Sequence, residues 1–413
     1  MAGHSLLSPS SAHRWIPCPG SIALSHGHTG GGNIHAATGS VAHLIAERCL
    51  RGGHDAVQHV GESHTIVDEE DASQSWVIDV DDDMASFVQV YVDYVRRRAT
   101  ELCAEPQIEV RVDLSGVLGI DDQGGTADAV IADSMLSATL EVIDLKYGFG
   151  EVDADDNPQL MLYALGVLED LEAKGAQFER VLCTIVQPRL DAIPQQELTP
   201  AELRAFGVTA KASAARATAA MQHSPEVLGA HEFLNPGTKQ CQWCPAKATC
   251  PALAKFVTDT VFEDFEDLTA EPKPVPEDDV ERLTLYQSRL DLIESWCKAV
   301  AATFYAKVER GQVPGWKLIA GRRGARQWKD ENEVEELFKS FRLKKEEKYD
   351  FKLISPTKAE KVLTPKRWEK ACELVTQAQG KPKAVPESTP GEAIPPANLF
   401  DEPVKTETNE DLL

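Results

Sequence analysis

The stretch Leu140-Glu141-Val142-Ile143-Asp144-Leu145-Lys146-Tyr147-Gly148 decides how the rest of the chain reads. Apolar side chains at Leu140, Val142, Ile143 and Leu145 favour a buried strand, and Gly148 and Gly150 end it. Residues two apart on a strand share a face, so Asp144 and Lys146 project into one place. An aspartate beside a lysine at a strand end is either a simple ion pair or a metal ligand next to a catalytic amine. Glu141 faces the other side of the strand and falls outside the candidate site.

Upstream, Gly124-Gly125-Thr126-Ala127-Asp128-Ala129-Val130-Ile131 reads as a glycine turn entering a second apolar strand that starts near Asp128. Downstream, Asn157-Pro158-Gln159-Leu160-Met161-Leu162-Tyr163-Ala164 reads as a helix start, with Pro158 at the first helical position and Asn157 or Asp156 as cap. Gln159 and Tyr163 are four apart and share a helix face. Together Asp128, Asp144-Leu145-Lys146, Gln159 and Tyr163 resemble the core motifs of the PD-(D/E)XK nuclease superfamily. The RecB-like branch, with its AddB-type and CRISPR-associated iron–sulfur exonucleases, is the nearest in pattern.

The resemblance implies a restriction-endonuclease-like α/β fold: a mixed β-sheet core flanked by helices, a cysteine-cluster staple and a helical C-terminal extension. It implies Asp128 and Asp144 as ligands of Mg2+ or Mn2+ and Lys146 as the catalytic lysine. Gln159 and Tyr163 then orient Lys146 or hold the DNA backbone. On the helical segment Gly39 to Arg48, His43 and Glu47 are four apart. By themselves they read as a surface pair. The family's first core helix carries a metal-binding histidine, which the resemblance places at His43, and a glutamate matched by Glu47.

Three cysteines, Cys241, Cys244 and Cys250, lie in a proline-interleaved segment. Their Cys-x2-Cys spacing points to metal but lacks a fourth local ligand. Cys18, in a Cys-Pro pair after the short helix expected from Ser8 to Ile16, or a histidine such as His231 can supply it. Zinc and iron–sulfur both suit four thiolates. In the resembling family one N-terminal and three C-terminal cysteines hold a [4Fe-4S] cluster, which implies Cys18, Cys241, Cys244 and Cys250 as its ligands. Cys49, Cys103, Cys183, Cys297 and Cys372 stand alone in their segments and read as packing residues.

The chain has 413 residues and a net charge of −24, which argues against a general nucleic-acid coat but not against a nuclease with a local basic path. No apolar run spans a bilayer, and residues 1–7 lack a secretory pattern. The nine cysteines then fit a reducing cytoplasm, a bacterial host's if the gene is phage-borne.

Residues 53–83 read as a polar, acidic loop. Met84 to Cys103 reads as a helix, Ile108 to Leu114 and Val181 to Val186 as strands, and Thr199 to Gln222 as an alanine-rich helix. Val257 to Pro276 reads as an acidic loop. Glu277 to Glu309 reads as a helix with a stripe at Leu283, Tyr286, Leu290, Ile293, Cys297, Val300, Phe304 and Val308.

Three regions follow: 1–256 the nuclease core, 257–375 an extension that includes an Arg- and Trp-bearing hairpin at 313–328, and 376–413 a disordered acidic tail. In that tail Pro396-Ala397-Asn398-Leu399-Phe400 faintly resembles sliding-clamp peptides. The expected function is a metal-dependent DNA exonuclease in phage replication or recombination, with DNA and a single-strand annealing or replication protein as partners and no membrane association. The alternative is a catalytically inactive DNA- or protein-binding module with a structural zinc or iron–sulfur site.

Overall fold

A computed structural model of the chain describes residues 5–27, 32–68, 74–224, 227–228, 232–262 and 280–316. All belong to the first of two compact units, residues 1–319; the second, 320–413, lies outside the described residues. So do Cys372, His231, most of the 313–328 hairpin, the lysine-rich segments and the tail peptide.

The core is a five-stranded mixed sheet with helices on both faces, so the expected α/β architecture is present. Its strands are β3 (Gln107–Asp113), β4 (Gly124–Asp133), β5 (Thr139–Leu145), β6 (Arg180–Val186) and β7 (Gln195–Leu198), in that spatial order. Every neighbouring pair is antiparallel except β5 with β6. That parallel pair needs a crossover, and α6 (Pro158–Ala173) supplies it. Asn157 is the cap: its side chain accepts from the backbone N–H groups of Gln159 and Leu160, and Pro158 holds the first helical position.

α1 (Ala12–Trp15), α2 (Gly20–Ser25), α6 and α7 (Pro200–Ala220) cover one face of the sheet, around Leu7, Trp15, Leu140, Val142 and Leu162. α3 (Ile34–Gly52) and α4 (Asp82–Glu101) cover the other, around Val41, Ile45, Val88, Ile143 and Leu145. β5 is buried along its whole length, as its near-continuous apolar sequence demands. The short α5 (Ser115–Leu118) links β3 towards β4.

Six details depart from the sequence reading. Residues 53–83 are not a plain loop: β1 (Ser63–Val67) and β2 (Ser75–Asp79) pair as a hairpin that turns Ile66, Trp76 and Ile78 onto the α3–α4 core. The alternation is present but short, and the acidic run at 68–71 masks it. β7 is an addition to the expected strands, since Gln-Gln-Glu-Leu carries no apolar alternation. Gly124 and Gly125 lie inside β4 rather than in a turn, because side chains there would collide with Val112 O at 2.4 Å and the Tyr163 ring at 2.9 Å.

Helix α9 (Pro251–Phe262), which follows α8 (Thr238–Gln242), carries helix into the expected acidic loop. The long α10 (Val280–Glu309) buries Leu292 and Val308 but leaves Leu290, Val300 and Phe304 exposed, since it packs on the cysteine segment along one edge only. Cys297 is therefore exposed, and so is Cys103, in the turn after α4 with φ of 50°; neither is a packing residue. Cys49 and Cys183 are buried as expected.

The β4–β5 register is held by Asp133. Its carboxylate accepts the backbone N–H groups of Met135 and Leu136, both at 3.0 Å, and of Ser137 at 2.6 Å. Those donors hold the Asp133 carboxyl well below its ordinary range. A carboxyl depressed in the folded state stabilises the fold above its unfolded pKa of about 4 and loses that contribution as pH falls through its folded value. Asp133→Ala is therefore expected to lower the urea midpoint at pH 7, and the gap from the parent should shrink steadily below pH about 4. A gap independent of pH would show that the turn does not rely on the charge.

Candidate metal-dependent active site

The site lies where β4 and β5 meet α3 and α6. Lys146 follows the end of β5 and stays in line, its N–H donating to Val186 O of β6 at 2.9 Å. Its Nζ lies 2.9 Å from Asp144 Oδ2. Gln159 binds both groups at once. Its Oε1 accepts from Lys146 Nζ at 3.0 Å, and its Nε2 donates to Asp144 Oδ1 at 3.0 Å. The face shared by Asp144 and Lys146 is thus as the strand period requires, and the first turn of α6 locks it.

Asp128 reaches the cluster by a break in the sheet. Along β4, Ala127 packs on the α6 face while Ala129 packs on the α3–α4 face, although residues two apart should share a face. On the partner strand Val110 and Ile108 show the same reversal. Between them lies Glu109, which the β3–β4 register leaves unpaired along with Asp128, with a left-handed φ of 52°. For a non-glycine residue inside a strand that conformation is strained, at about 1–3 kcal/mol. The break frees both carboxylates from the two cores. Asp128 Oδ2 then accepts the Leu145 N–H at 2.7 Å, and Asp128 Oδ1 lies 3.3 Å from His43 Nδ1 on α3.

His43, Glu109 and Asp128 each offer a ligand atom within 4.8 Å of the other two. They line an open cleft of about 520 Å³ together with Gly39, Ser40 and Glu47. Glu109 is the residue that the sequence does not reveal: it reads as one polar position of an alternating strand. Glu47 does not pair with His43, since it bridges to Arg51 at 2.9 Å. Asp144 lies outside the tight set, its side chain only 6% exposed. Its Oδ2 is buried and faces the Lys146 ammonium, so both of its oxygens already have a partner, Gln159 on one side and Lys146 on the other.

Tyr163 is not at the cleft surface. Its ring is buried against Gly125, one turn of helix behind Gln159, so it supports the site from within. Glu141, on the opposite face, shows what a finished buried carboxylate looks like. Arg98 Nε at 2.7 Å, Thr184 Oγ1 at 2.8 Å, Tyr94 OH at 3.1 Å and Gln195 Nε2 at 3.2 Å all donate to it.

Charge in the cluster is balanced among its members. Burial raises the Asp144 carboxyl, with Asp128 adding to the shift and Lys146 opposing it. Burial alone would depress Lys146, but Asp144 and Asp128 outweigh it and hold the amine above its usual value, so it is an ammonium. Burial likewise opposes the His43 imidazolium, yet Asp128 and Asp144 push it up to about 9. Burial and the Asp128 charge push Glu109 up to about 7.

The four cysteines of the expected cluster come together at one end of the core. Burial pushes the Cys18 thiol up to about 11, with Cys241, Cys250 and Cys244 all near enough to add to the rise. Asn235 N–H points at Cys18 Sγ at 3.3 Å and Gly237 N–H at Cys241 Sγ at 3.4 Å. Gly20 N–H donates to Phe233 O at 2.8 Å, and a side chain at Gly20 would meet Leu234 at 2.7 Å, so the N-terminal helices and the segment after α7 fit closely here.

Residues 4–392 match a protein family described as a protein of unknown function (DUF2800). The chain belongs to that family. The match takes in both the carboxylate cluster and all four cysteines of the DUF2800 chain.

Two outcomes test these assignments. Glu109 holds its proton more tightly when folded than when unfolded, so the metal-free fold should lose stability as pH rises from about 4 to about 7. Metal-free Glu109→Gln is expected to melt higher than the parent at pH 8 and level with it at pH 4, while gaining less from added Mn2+. Equal gains from Mn2+ would remove Glu109 from the ligand set. If the four cysteines hold the iron cluster that the resemblance implies, Cys244→Ser loses that iron and solubility; a soluble variant with the parent's iron content would free Cys244 of that role.

Proposed function

We propose that this protein is a divalent-metal-dependent nuclease acting on DNA, as its resemblance to the RecB-like PD-(D/E)XK enzymes implies. The observation that supports this most is the meeting of His43, Glu109, Asp128, Asp144, Lys146 and Gln159 from five separate elements in one partly buried cluster. An ordinary ion pair needs two of these residues.

The donor set of carboxylate oxygens and one imidazole suits Mg2+ or Mn2+, with the imidazole favouring the softer Mn2+. His43, Glu109 and Asp128 would hold the ion, with Asp144, paired with Lys146, beside them. Bound there, the ion would acidify a water and neutralise charge on the scissile phosphate.

Hydrolysis joins the water oxygen to phosphorus, breaks one phosphorus–ester bond and delivers a proton to the departing oxygen. Lys146, being an ammonium, has no lone pair with which to accept the water's proton. It acts as a donor to the oxygens on which negative charge grows. Gln159 fixes that donor in place by accepting from Lys146 with one end of its amide and donating to Asp144 with the other. Tyr163 and Gly125 fill the space behind Gln159 and keep α6 against β4.

The four cysteines would hold a [4Fe-4S] cluster that ties the N-terminal helices to the segment after α7; four thiolates suit zinc as well, and the resemblance favours the cluster. Hydrolysis moves no electrons, so the cluster's role is structural.

The test is a cleavage assay on linear and circular, single- and double-stranded DNA with Mn2+ or Mg2+, using protein purified without oxygen. Cleavage confined to linear DNA would mark an exonuclease. Lys146→Ala should reduce the rate by about 10²–10³-fold, the usual loss for one donor to developing charge. A folded, iron-replete parent that cuts nothing would instead support a binding module. Undiminished cutting by the variant would displace Lys146 from the site.

A further inference from the structure

A second cluster of ligand-type side chains lies at the far end of α3. Cys49, His54 and His59 each offer a ligand atom within 4.8 Å of the other two. Cys49 is fully buried, His59 is nearly so, and His54 is half-buried with access to solvent. The group shares α3 with His43 but not its face: six residues separate His43 from Cys49, about 9 Å of helix and some 240° of rotation. None of the three lines the His43 cleft.

We propose that Cys49, His54 and His59 form a structural metal centre for a borderline divalent cation of the zinc type. A thiolate with two imidazoles selects such an ion over Mg2+. The His59 ring is set for it. Its Nδ1 lies 2.8 Å from Glu62 Oε1, and a carboxylate only accepts, so Nδ1 carries the proton and the Nε2 lone pair points into the cluster. A carboxylate behind a histidine in this way is the usual support of a metal-ligating imidazole. Glu62 is itself held by Arg48 at 3.0 Å and His64 at 3.1 Å.

The other two ligands are held through their backbone. The Arg96 guanidinium donates to His54 O at 2.6 Å and to Cys49 O at 3.4 Å. The His54 ring lies over Gly52, where an added Cβ would come within 2.3 Å of it.

The spacing fits with a small adjustment. His54 Nε2 and His59 Nε2 are 2.9 Å apart, sharing one proton. Zinc–nitrogen bonds of about 2.0–2.1 Å in a tetrahedron put the two nitrogens about 3.3 Å apart, so the ion replaces that proton and the rings part slightly. No further His, Cys, Asp or Glu atom joins the set among the described residues, so the fourth position falls to solvent on the His54 side. The centre would pin the C-terminal end of α3 to the 3-10 turn Ala56–His59 and the β1–β2 hairpin. A plain hydrogen-bonded histidine pair is the competing account.

Cobalt(II) alone separates the two, added to full-length protein with its iron cluster assembled. Parent and Cys49→Ala are compared at matched cobalt. The expected result is one equivalent less cobalt in the variant, with loss of one thiolate's charge-transfer intensity and of the strong visible bands of four-coordinate cobalt. Equal uptake with identical spectra overturns the proposal. Because Cys49 is buried, His54→Gln provides a milder second variant, and Glu62→Gln a third. His54→Gln should lose the four-coordinate bands, and Glu62→Gln should bind cobalt about 10–100-fold more weakly. Parent-like cobalt affinity in both variants also overturns it.

Discussion

Carboxylates buried side by side repel one another, and most of the architecture around β4 and β5 answers that repulsion. Removing a carboxylate from water costs on the order of several kcal/mol even after relaxation. Asp144 is almost wholly buried, and the Asp128 charge beside it raises its pKa further. The fold responds with two cations, Lys146 and His43, one amide that binds acid and base together, and one backbone N–H from Leu145. Asp144 itself is held by one lysine and one amide. Glu141, only three residues away on the same strand, is saturated with donors. The contrast separates a carboxylate wrapped in four donors from one held by two.

Holding the acids at the cleft demands irregular backbone. A regular β3–β4 ladder would send Glu109 and Asp128 into one of the two apolar cores. The paired reversal of faces at those two positions, with Glu109 in a left-handed conformation, turns them into the cleft instead. Strain of this kind persists only where the surroundings enforce it. Here the long α3, capped by Asn33 and ended by Gly53 in the left-handed region, supplies His43 from the other side.

Much of this was legible in the residues. The strands β3 to β6, the crossover helix with its Asn157-Pro158 start, the shared face of Asp144 and Lys146, and the gathering of four distant cysteines all follow from periodicity, capping and the family pattern. Short or polar elements were not legible. β7 has no apolar alternation, and the acidic run in the sequence between β1 and β2 hides that strand pair. The burial stripe of α10 was misjudged because spacing reveals an apolar face but not whether a partner covers it. Cys49 looked solitary in sequence because its companions, His54 and His59, become neighbours only when the chain doubles back after α3.

The sequence by itself determined the order of elements, the Asp144–Lys146 pairing and the metal-suited cysteine set, because these depend on local periodicity and residue chemistry. Tertiary structure alone decided that Glu109 joins His43 and Asp128, that Tyr163 stands behind the site rather than in it, and that a second ligand cluster closes at Cys49. Those outcomes depend on a kinked ladder, on close approach at Gly125 and on the return path of the chain. Each is a property of packing in three dimensions that no spacing along the chain encodes.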